Sequence, residues 1–134
     1  MNKHILKSIG AIFAGLVVGA ILSLATDVVL HADGVYPPWG QVVPNPILLL
    51  ATAYRTVYGV VGAYVAARLA PDRSMMHALV LGALGFVVSL LGAVVTWNKG
   101  PAYGPHWYPV ALVVLALPTA WLGGWFRVRQ LGGN

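Results

Sequence analysis

Apolar residues in this chain come in long unbroken runs, not in the stripes of an amphipathic helix or the alternation of a half-buried strand. The runs cover residues 5–30, 47–69, 75–97 and about 110–126. Roughly 20 apolar residues of helix cross the ~30 Å of hydrocarbon in a bilayer. The runs are apolar all round, so such helices have no face to turn toward water. The pattern predicts an all-α integral membrane protein: a four-transmembrane-helix antiparallel bundle forming one membrane domain over 1–134, with spans near 5–31, 46–70, 75–97 and 109–127.

The breaks between runs carry turn chemistry. Asn45-Pro46 reads as a helix start, with Asn as N-cap and Pro in the first turn, and Pro71 reads as a stop. The turn Pro71-Asp72-Arg73-Ser74 is so short that the second and third helices must form a tight hairpin. Residues 34–44 and 98–109 are Pro/Gly/aromatic loops, and Pro118 inside the fourth run predicts a kink. The two loops loosely echo one another, Gly34-Val35-Tyr36-Pro37-Pro38-Trp39 against residues 100–107, as in a parallel transporter repeat. Loop composition alone is enough to produce such an echo.

Charge orients this scheme. With four spans, Lys3, Lys7, Arg68, Arg73, Arg127 and Arg129 share one side and only Lys99 lies in a loop on the other. Loops rich in Lys and Arg stay in the cytoplasm, so both ends are expected there, N-in/C-in. Aromatic residues fit the same frame, with Tyr36, Trp39, Trp97, Tyr103, Trp107 and Tyr108 at the outer boundary and Trp121, Trp125 and Phe126 at the inner one. In a soluble protein, net charge +5 and pI about 9.9 would suggest nucleic acid. Here the charges flank the spans at headgroup level, so the lipid bilayer is the expected partner and nucleic acid is not. Charged residues make up 8% of the chain, against about 25% in soluble domains. The expected location is a cell membrane, of the bacterial inner-membrane kind, as a multi-pass protein. Lys3 and Lys7 ahead of an apolar segment and Ser23-Leu24-Ala25 also fit a signal peptide, but the segment exceeds the usual length and a retained helix is expected.

Membrane helices associate by close packing, which small residues permit. Gly15 and Gly19 form a GxxxG on the first helix, and Gly59, Gly62, Ala63 and Ala66 line the second. Ala78, Gly82, Gly85, Ser89 and Gly92 follow on the third, and Ala116, Ala120 and Gly124 on the fourth. These seams predict close crossings within the chain, and the same surfaces can serve a homodimer or a larger membrane complex.

Packing leaves Asp27 and Arg55 unexplained. A charged side chain in hydrocarbon costs about 3 kcal/mol or more, so each needs an inward-facing partner. Gly15, Gly19, Ser23, Asp27 and His31 follow at steps of four, and Arg55, Tyr58, Gly59, Gly62 and Ala66 share a face of the second helix. Antiparallel packing of the two predicts an Asp27–Arg55 ion pair with Tyr54, Tyr58 and Thr26 as hydrogen-bonding neighbours. His31, Asp33, Asn98 and His106 form an outer polar rim beside Lys99. Asp27 and His31, four residues apart, have metal-ligand spacing and His106 offers a third donor, yet interfacial histidines are usually just solvated; no metal or cofactor is expected. His4 and His77 read as solvated at the inner boundary. Enzyme chemistry finds no motif: Cys and Glu are absent, the three acids are Asp27, Asp33 and Asp72, and there is no Walker loop, GxSxG or HExxH. The expected role is that of a small structural or accessory membrane protein with an internal ion pair. The alternative is an oligomeric transporter or channel for a small ion or solute, with its polar site in the outer half.

Overall fold

The structure, a computed structural model, describes residues 3–37, 44–99 and 105–132. Trp39, Tyr103 and half of the echoing loop residues lie outside these segments. The regular structure is wholly α-helical among the described residues: α1 Lys3–Ala32, α2 Asn45–Leu69, α3 Ser74–Thr96 and α4 Trp107–Gln130. Each is long and apolar enough to cross a membrane.

Helix ends depart from the apolar runs where helical hydrogen bonding continues past the hydrocarbon. α1 has 30 residues, about 45 Å of helix, so its ends outreach the apolar core of a bilayer. α4 starts at Trp107 and tolerates Pro109 in its first turn, where a backbone N–H has no helical partner to lose. It continues through Pro118 and past Phe126 to Gln130. The start of α2 corrects the expected cap. Pro44 is the N-cap, in extended conformation and without a side-chain cap bond, while Asn45 is already helical. The Asn45 Oδ1 instead accepts from the Trp107 indole at 3.1 Å. α2 stops as expected, because Pro71 forces Ala70 out of helical geometry, to φ −61° and ψ 137°. The turn then passes through Arg73 in the left-handed region at φ 47°.

α1 ends differently. Gly34 adopts φ +79°, which lets its N–H reach the His31 carbonyl at 3.3 Å and the Val35 N–H reach the Leu30 carbonyl at 3.0 Å. This is a Schellman cap with glycine in its left-handed position. It folds the chain back over the helix end and stacks Tyr36 on His31, ring centroids 4.6 Å apart.

Contacts set the neighbours. Gly15 of α1 lies against Gly62 and Ala66 of α2, and Gly19 against Tyr58, so these helices run in opposite senses. Gly123 of α4 meets Val60, Ala63 and Tyr64, whereas Gly59 meets Thr119; α2 and α4 run in the same sense. Gly82 and Gly124 bring α4 against α3 through Ala120 and Ala78. α2 therefore holds α1 on one face and α4 on another, and Gly59 belongs to the second contact, not to the glycine meeting with α1. Lys3, Arg68, Arg73 and Arg127 come to one end of the molecule, called here the basic end.

The interior is made of small side chains: Ala63, Ala66, Ala67, Ala78 and Ala120, with Leu81 the one large member of this cluster. Bulky apolar residues point outward, with Phe13 64% and Val88 65% exposed. Water would penalise such a surface at roughly 25 cal/mol per Å² of apolar area, whereas lipid does not. Together with the four spans, this pattern makes the chain a multi-pass membrane protein.

The seam on α3 is only partly used for packing. Ala78 and Gly82 touch α4, but a Cβ at Gly85 or Gly92 would meet nothing within 4 Å. Gly85→Ala is therefore expected to leave stability unchanged or to raise it by about 0.5–1 kcal/mol, since alanine restricts the helix less unfavourably than glycine. Thermal unfolding in a fixed detergent checks this, and a loss comparable with that of a packed glycine would contradict the placement.

Candidate functional site

Antiparallel contact between α1 and α2 brings the two intramembrane charges together at the end opposite the basic one. Arg55 Nη2 donates to Asp27 Oδ2, and the Tyr54 hydroxyl donates to Asp27 Oδ1. Both carboxylate oxygens thus have a donor, and the Asp27 side chain is only 14% exposed. Tyr54 spends its proton on Asp27, so the 2.7 Å bond between Tyr36 and Tyr54 must have Tyr36 as donor. Tyr36, 7% exposed, closes a directed relay Tyr36–Tyr54–Asp27.

Thr26 and Tyr58 do not join this relay directly. Thr26 Oγ1 donates to the Leu22 carbonyl at 2.8 Å, leaving its lone pairs for the Tyr58 hydroxyl, also at 2.8 Å. This third α1–α2 bond sits one residue from Asp27 along the helix. Tyr108 of α4 is near enough to the Arg55 guanidinium to interact with its charge. Arg55 Nε, buried, has no hydrogen-bond partner.

The rim residues are used locally. His31 Nδ1–H donates to the Asp27 backbone carbonyl at 2.7 Å, and His106 Nε2–H donates to the Trp97 carbonyl at 2.7 Å while stacking on the Trp97 ring. Asp33 and Asn98 stand in exposed turns after α1 and α3. No three His, Cys, Asp or Glu side chains converge as metal ligands among the described residues.

Beneath Arg55 a cleft of about 440 Å³ opens among all four helices, along residues 15–24, 55–63, 81–89 and 112–120. Its wall is mostly glycine, alanine and leucine, with Ser23, Thr56, Ser89 and Thr119 as isolated hydroxyls. Gly85, expected at a crossing, lines this cleft instead.

A second polar group lies at the basic end. His77 is 5% exposed, which corrects its reading as a solvated boundary residue. Its Nδ1–H donates to the Arg73 carbonyl at 3.0 Å, so Nε2 accepts from Ser8 Oγ at 2.9 Å. Beside it His4 meets Asp72 at 3.1 Å. These contacts join the start of α1 to the α2–α3 turn.

Tyr36, Tyr108 and His77 are what sequence reasoning missed as site members. The two tyrosines were indistinguishable from belt aromatics, and only the Gly34 turn signal hinted that Tyr36 folds back. Compared with protein-family models, with curated proteins and with solved structures, the chain matches none.

Proposed function

We propose that this protein is a small structural or accessory component of a cell membrane, of the bacterial inner-membrane kind. Its four helices form an antiparallel bundle with both ends in the cytoplasm, held in register by Asp27 and Arg55. The observation that carries this reading is the full occupation of Asp27: one oxygen takes Arg55, the other Tyr54, and little of the carboxylate faces open space. A carboxylate that binds and releases an ion or proton needs a free oxygen and a path to it. Here the partners come from the neighbouring helix, as in a register clamp. The orientation follows from the basic residues gathered at one end.

A transporter or channel for a small ion or solute, working as an oligomer, is the second reading. It is favoured by the cleft that ends at Arg55 between all four helices.

One set of variants separates the two. Asp27→Asn, Arg55→Gln and the charge-reversed pair Asp27→Arg/Arg55→Asp are compared with wild type for folding in detergent and for ion flux in proteoliposomes. The clamp predicts weakened singles, recovery in the reversed pair, and no flux in any form. Wild-type flux that vanishes in a still-folded Asp27→Asn would overturn it in favour of transport.

A further inference from the structure

The basic end of α2 and α4 holds a group of cations that the clamp does not use. Arg68 lies on α2, and Arg127 and Arg129 lie on the last turn of α4. Two bonded side chains tie the helices together beneath them. The Tyr64 hydroxyl donates to Gln130 Oε1 at 2.6 Å, and Arg127 Nη1 donates to the same oxygen at 3.2 Å. Arg68 Nη1 donates to the Tyr64 hydroxyl at 3.3 Å, and the Arg129 guanidinium lies 5.2 Å from the centre of the Trp125 ring.

No carboxylate balances these charges among the described residues. Of the three acids in the chain, Asp27 takes Arg55, Asp72 takes His4, and Asp33 follows the far end of α1. Arg127 Nε is buried and lacks a hydrogen-bond partner. Next to the cations a groove of about 580 Å³ runs between α2 and α4, walled by Val60, Val61, Trp125 and Phe126, with Arg129 and Gln130 among its polar lining. An apolar trough with guanidinium groups at one end matches an acyl chain with an anionic head. Guanidinium pairs well with phosphate oxygens, and basic pockets between membrane helices take such headgroups.

We propose that this groove binds an anionic glycerophospholipid, its phosphate held by Arg68, Arg127 and Arg129 and one acyl chain lying along Val60, Val61 and Phe126. The site is separate from the Asp27 clamp and stands whether or not the clamp reading holds.

The test is native mass spectrometry of the detergent-solubilised protein with added phosphatidylglycerol, phosphatidylcholine or inorganic phosphate, counting retained molecules and subunits. Arg68→Gln and Arg129→Gln are the main variants, because both side chains are exposed and their loss spares the packing. Arg73→Gln, at the same end but outside the groove, is the control. The expected result is one phosphatidylglycerol retained in preference to phosphatidylcholine. Each groove variant should weaken retention about five-fold, corresponding to ~1 kcal/mol per basic residue at an anionic surface, and Arg73→Gln should leave it unchanged. Equal retention of both lipids, an equal loss in Arg73→Gln, or phosphate binding as well as the lipid would each overturn the proposal. So would a groove variant that splits a dimer, since a second copy would then be the occupant.

Discussion

Arg55→Gln alone is expected to destabilise the protein by about 3 kcal/mol, and adding Asp27→Asn is expected to return most of that loss. The single change strands a carboxylate inside the apolar layer. Tyr54 still donates to one oxygen, which places the cost toward the lower end of the 3–5 kcal/mol typical of broken buried pairs. The double change leaves two neutral amides at the same positions, which can bond to one another, and lipid no longer has a charge to solvate. Thermal or denaturant unfolding in one detergent measures the pattern. If the double variant is as unstable as the sum of the singles, the two side chains are not coupled and the clamp fails.

Gly123→Ala should produce the next largest effect, a loss of about 1–3 kcal/mol from overpacking. A Cβ there would lie 2.5 Å from the Val60 carbonyl oxygen, 2.7 Å from Ala63 Cβ and 2.8 Å from the Tyr64 nitrogen. Two of these are backbone atoms, which have no rotamer to change, so α2 and α4 must move apart. That separation also loosens the Tyr64–Gln130 bond. The intrinsic gain of alanine over glycine in a helix, about 1 kcal/mol, opposes the loss without cancelling it. Gly15→Ala meets the same obstacle at the Gly62 carbonyl and at Ala66 Cβ, 2.9 Å away. Against these, the near-silent Gly85→Ala serves as the internal comparison; if all three behaved alike, helix propensity and not crossing distance would govern this protein.

Hydrophobic run length made the four helices legible, because a bilayer imposes a minimum span that few other contexts require. The meeting of Asp27 and Arg55 was legible for a related reason: a polytopic chain with two lone intramembrane charges of opposite sign has few ways to place them. Small-residue spacing was a poorer guide. Gly15 and Gly85 look equivalent in sequence, yet a Cβ on one would meet a helix backbone and a Cβ on the other would meet nothing within 4 Å. What separates them is how closely a facing helix approaches at each position, a property of the whole assembly. Asn45 shows a similar limit. The expected cap does not form, because Pro44 takes the N-cap position and the Asn45 side chain accepts from the Trp107 indole. Tyr36 needed the local reversal at Gly34, and His77 needed Ser8, 69 positions away; neither leaves a periodic trace.

The inverted interior, with alanine and glycine within and bulky residues without, changes how this protein can evolve. Exchanges among leucine, isoleucine, valine and phenylalanine on the outer surface merely trade one greasy contact with lipid for another and should accumulate freely. Adding a single methyl at Gly15, Gly62 or Gly123 meets backbone, and should be rejected. Distant homologues of this chain should therefore be recognisable by the spacing of their smallest residues, while their largest ones drift.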